Sequence, residues 1–101
     1  MTEPLSVVFQ RRAIREAEAI DEWWRSNRPA APELFATELE AMLGAAALMP
    51  SLGAPARSER ARRVRRLLLR ATRCHVYYRV RDETLEVLAV WHATRGTGPG
   101  L

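Results

Sequence analysis

The chain has 101 residues, 48% of them hydrophobic and 28% charged, and a formal net charge of +4. That length suits one domain (residues 1–101) with a single modest core, and the composition excludes a disordered or fibrous chain. No apolar run approaches a membrane span, the N-terminus MTEPLSVVFQRR lacks a basic leader before an apolar stretch, and a lone Cys74 excludes an internal disulfide, so the expectation is a cytoplasmic protein.

The charge is unevenly spread. Residues 1–56 hold five arginines against eight acids, a balance of −3, while residues 57–101 hold eleven against four, a balance of +7. The C-terminal half is therefore suited to meet a polyanion or an acidic protein.

In chain order, Leu5 to Phe9 is short and rich in β-branched and aromatic residues, which predicts a strand. From about Arg11 to Ser26, Ala13, Ala17, Ile20 and Trp24 recur every three or four residues and predict a helix with one face in a core. Asn27-Arg28-Pro29 should end it through a left-handed Asn cap. A second helix is predicted from about Pro32 to Leu48, with Phe35, Leu39, Met42, Leu43 and Ala46 on one side, so the two make an αα-hairpin. Pro50, Gly53 and Pro55 then punctuate a loop that runs on through RSERARR, residues 57–63.

Three strands follow, around Val64 to Arg70, Arg73 to Arg81 and Thr84 to His92, before a Gly- and Pro-rich tail. The predicted order is β-α-α-β-β-β: an α+β fold in which an αα-hairpin packs on one face of a twisted antiparallel sheet. With Asp82 and Glu83 as the central turn residues, Val80 should oppose Leu85, Tyr78 Val87, Val76 Ala89 and Cys74 Trp91 on the core face. The other face should pair Arg79 with Glu86, Tyr77 with Leu88, His75 with Val90 and Arg73 with His92. Being uncovered by helices, that face should carry a basic patch bounded by Arg66, Arg70, Arg73, Arg79 and Arg95.

This order, with Pro50-x-x-Gly53, Val64-Arg65-Arg66-Leu67, Val76-Tyr77-Tyr78-Arg79-Val80 and Val87-Leu88-Ala89-Val90-Trp91-His92-Ala93-Thr94-Arg95, resembles the ParE branch of the RelE/ParE toxin superfamily over about residues 6–100. The resemblance implies the toxin half of a bacterial type II toxin-antitoxin pair, bound and silenced by a cognate antitoxin in a hetero-oligomer. ParE-like members are associated with poisoning DNA gyrase, RelE-like members with cutting mRNA on the ribosome.

Cleavage of RNA through its 2′-hydroxyl needs a base, an acid and cations at the phosphate. The candidates for that chemistry are Arg73, His75, Tyr77, Arg79 and His92. The tail after Arg95 holds no Tyr, Lys, His or carboxylate side chain, which weakens the ribonuclease reading, so no catalytic residue is expected. No motif asks for a metal or cofactor. The candidates for partner contact are Trp23, an exposed anchor next to the core residue Trp24, and the arginines Arg60, Arg62, Arg63, Arg66, Arg70 and Arg95.

Overall fold

Val7, Val8 and Phe9 favour extended backbone, and Ser6–Phe9 forms β1. The computed structural model describes residues 3–57 and 61–93. In it β1 lies parallel to the beginning of β5 (Thr84–His92), with Ser6 opposite Thr84 and Phe9 opposite Val87.

Helix α1 spans Arg11–Asn27, and its Ala13, Ala17, Ile20 and Trp24 face the core as their spacing predicts. It does not end in a left-handed Asn. The Asn27 side chain donates to the Trp23 carbonyl at 2.9 Å, and Arg28 continues with a φ of −131°. Residues 29–33 are turns, so helix α2 spans Leu34–Leu48 rather than starting at Pro32. Phe35, Leu39, Leu43 and Ala46 join α1 and the sheet in the main core.

A single 3₁₀ turn, Pro50–Leu52, follows, then a two-residue strand β2, Ala54–Pro55, where an irregular loop was expected. Pro55 is tolerated because β2 is the outermost strand. Strands β3 (Arg65–Leu69) and β4 (Cys74–Arg81) lead to β5, and the sheet order is β1-β5-β4-β3-β2. The sheet is mixed: antiparallel from β2 to β5, with β1 added in parallel.

Two side chains from outside their own elements hold this layout. Glu38 of α2 accepts the Ala71 N–H at 2.7 Å, the Thr72 N–H at 3.0 Å and the Thr72 hydroxyl at 2.7 Å, satisfying the β3–β4 turn. The Tyr78 hydroxyl donates to the Pro50 carbonyl at 2.7 Å and accepts the Gly53 N–H at 2.9 Å. The Pro50-x-x-Gly53 spacing is thus the loop that closes around a buried tyrosine.

Asp82 and Glu83 form the β4–β5 turn with φ of 48° and 63°, the left-handed pair whose twist suits a two-residue hairpin. The pairs Val80–Leu85, Arg79–Glu86 and Tyr78–Val87 match the predicted register. Beyond them it shifts. Tyr77 faces Ala89, leaving Leu88 as an extra residue, and the later pairs are Val76–Val90, His75–Trp91 and Cys74–His92. In the apolar run Val87-Leu88-Ala89-Val90 every residue suits burial, so alternation alone could not mark which one is extra.

The bulge lets Leu88 and Ala89 bury with Val64 and Tyr77 in a second cluster, against which Ala56, Ala61 and Trp91 pack, while Val90 stays in the main core. The face expected to be open is therefore partly covered by the connection into β3. No helix among the described residues is long and apolar enough to cross a membrane.

Candidate functional site

The bulge distributes the candidate residues over both sides of the sheet. His75 and Tyr77 share the second face, their rings 6.3 Å apart and edge-on. Tyr77 is only 8% exposed, because the second cluster covers it. Arg79 lies on the same side, its Nε 3.4 Å from Glu86 Oε1, and Arg81 reaches that oxygen at the same distance. Arg66 and Arg70 are exposed along and just past β3. Burial pushes the His75 imidazole below its ordinary range, and the positive charge of Arg66 adds to that.

His92 stands elsewhere. It pairs with Cys74 on the helix side and lines a pocket of about 510 Å³ with Trp23, Trp24, Glu16 and Val90. There Glu16 Oε1 accepts the Val90 N–H at 3.0 Å, so α1 satisfies the part of β5 that extends past β1. Trp91, expected in the core, faces the second cluster instead. Arg73, expected opposite His92, sits in the turn before β4 with a φ of 63°.

Trp23 is 46% exposed, and the Arg28 guanidinium lies 4.9 Å from its ring centre and 5.8 Å from that of Trp24. Its candidacy as a partner anchor thus has an exposed, cation-capped indole behind it. Arg62 and Arg63 are exposed in the approach to β3. Arg60 and Arg95 lie outside the described residues.

The sequence reads Arg65 only as one member of the arginine run before and along β3, and its separate role is visible only in the structure. It belongs to no exposed row: its Nη1 donates to the Gly53 carbonyl at 2.6 Å and lies 3.5 Å from that of Ser51. Within the run Arg62-Arg63-Val64-Arg65-Arg66, the one available signal was its position on the core side of the alternation. With Arg63 and Arg79 it lines a cleft of about 480 Å³ between the 3₁₀ turn and the end of β4.

Two helices over a five-stranded mixed sheet define an α+β fold of the RelE/ParE-like class. The family model described as the ParE toxin of the type II toxin-antitoxin system parDE matches residues 7–96, and the chain belongs to that family. It is a type II toxin of the ParE/RelE superfamily.

Among solved structures, the chromosomal ParDE toxin-antitoxin system from P. aeruginosa is similar at a TM-score of 0.71 and 18% identity, over 90% of this chain and 98% of that one. The toxin-antitoxin complex RelBE2 from Mycobacterium tuberculosis is similar at 0.64 and 24%, over 91% and 94%. These likenesses bear on the fold. Comparison with curated protein sequences finds no match.

Proposed function

We propose that the protein is a cytoplasmic ParE-type toxin that binds and poisons DNA gyrase without breaking bonds itself, and that a cognate antitoxin holds it inactive in a hetero-oligomer. The observation that supports this reading over ribosome-dependent mRNA cleavage is the separation of His92 from His75 by the Leu88 bulge, together with the burial of Tyr77. An acid and a base that act on one phosphodiester must reach it together. Here the two imidazoles lie on opposite faces of β4 and β5, and the intervening phenol is covered. What remains is binding surface, which suits a poison that traps its target by contact. Gyrase as that target comes from the ParE family relationship.

The experiment is a supercoiling and cleavage assay of purified gyrase with this protein, beside an mRNA-cleavage assay on translating ribosomes. Accumulation of cleaved DNA with intact mRNA is the expected result. Cut mRNA with unaffected gyrase would overturn the proposal and point to His75, Arg66 and Arg79 as the reactive set.

A further inference from the structure

The cleft between the 3₁₀ turn and β4 combines three features. Its cationic lining is Arg63, Arg65 and Arg79, with no carboxylate among its lining residues. Arg65 is fixed by the loop carbonyls. Arg79 Nε lies within ion-pair distance of Glu86 but out of line for a hydrogen bond. A cleft lined by three guanidinium groups and no carboxylate attracts an oxyanion, although Glu86, outside the lining, offsets part of the charge of Arg79.

The backbone supplies the second feature. In a two-residue hairpin the flanking pair Arg81–Thr84 exchanges its hydrogen bonds, so Val80 directs both its N–H and C=O away from β5, toward β3. The β3 ladder stops at Arg65–Tyr78, because Arg63, which would face Val80, is left-handed with a φ of 57°. Among the described residues Val80 thus offers a backbone donor and acceptor with no partner on the β3 side.

The third is apolar. Leu48, Met49 and Leu52, next in sequence to the cleft-lining Pro50 and Ser51, are 59%, 53% and 38% exposed. A phosphate backbone has no use for exposed apolar residues flanking the cleft-lining segment in sequence, whereas an acidic segment with alternating apolar residues uses all three features.

We propose that this cleft and its rim dock an acidic, apolar segment of the antitoxin. A carboxylate meets Arg63, Arg65 and Arg79, the segment's backbone meets Val80, and its apolar side chains lie on Leu48, Met49 and Leu52. The proposal rests on the toxin-antitoxin reading for the identity of the occupant, not for the chemistry of the site.

The probe is a blocked peptide of alternating leucine and glutamate, titrated into the full chain and followed by NMR. Saturable shifts are expected at the Val80 amide, at the Nε of Arg63, Arg65 and Arg79, and at the methyls of Leu48 and Leu52. Arg63→Glu should weaken binding by about tenfold or more, and Leu48→Ser, at an exposed position where folding is not at stake, by several fold. A serine-glutamate peptide that binds as well, shifts that fall elsewhere, or a short single-stranded DNA that produces the same shifts at lower concentration would each overturn it. Growth arrest relieved by the antitoxin tests the toxin reading separately. Arrest and relief with an unresponsive Val80 would sink the cleft alone. Peptide binding without arrest would leave the cleft and remove the antitoxin as its occupant.

Discussion

A Cβ added to Gly53 would lie 2.7 Å from the Tyr78 hydroxyl oxygen and 3.0 Å from the Arg66 carbonyl. Neither can retreat freely, since the phenol is held by Pro50 and the carbonyl is part of β3. Gly53→Ala is therefore expected to destabilise by about 1–3 kcal/mol through overpacking. Tyr78→Phe should cost about the same by leaving the Gly53 N–H and the Pro50 carbonyl unpaired. Urea unfolding of both single variants and the double checks this: losses that add would show that the two groups do not share one contact.

The Glu38 carboxylate is the acceptor for the β3–β4 turn. Glu38→Ala removes three hydrogen bonds to a charged group and should cost at least about 2 kcal/mol. Amide exchange should quicken most at Ala71 and Thr72. Uniform exchange across the sheet would argue that the turn holds without it.

Asp82 and Glu83 occupy left-handed backbone that Asn and Gly adopt more easily. The double change Asp82→Asn with Glu83→Gly should stabilise by about 1 kcal/mol, raising Tm by roughly 4–8 °C for a domain of this size. An unchanged or lower Tm in a thermal melt would show that the carboxylates contribute more than the backbone strain removes.

The folded-state pKa of His75 lies below its ordinary value of 6.5, through burial first and Arg66 second. The folded chain thus resists a proton that the unfolded chain accepts. The contribution is fully present above about pH 6.5 and is lost as pH falls from there through the folded value. His75→Gln should flatten that acid-side slope in unfolding measured across pH, and Arg66→Gln should move the imidazole titration, followed by NMR, part of the way back up. A titration indifferent to Arg66 would leave burial as the sole cause.

Most of the fold was legible because its signals are local. Spacing gave both helices, β-branched runs gave the strands, and the Asp82-Glu83 turn fixed the first three pairs of the hairpin. What escaped depended on tertiary contacts. Nothing in Asn27 announces that its side chain, rather than a left-handed backbone, closes α1. The parallel placement of β1 depends on where the helices return the chain. The second cluster escaped because alanines 56 and 61 look like loop residues until Tyr77, Leu88 and Ala89 require cover. Of the candidate site, Trp23, Arg62 and Arg63 were legible as exposed groups, whereas the role of Arg65 became visible only with the carbonyls it holds.

The extra residue at Leu88 makes the surface chemistry of this hairpin depend on strand pairing rather than on side-chain identity. Were β5 to pair with β4 without the bulge, Leu88 would take the place opposite Tyr77 and every later residue would change sides, carrying His92 over to the side of His75 and returning Trp91 to the interior. No side chain that bears chemistry would have been replaced. Deleting Leu88 itself would instead absorb the bulge and leave Ala89, Val90, Trp91 and His92 opposite their present partners, so the choice between bulged and regular pairing, and not any change of side chain, sets which face carries His92.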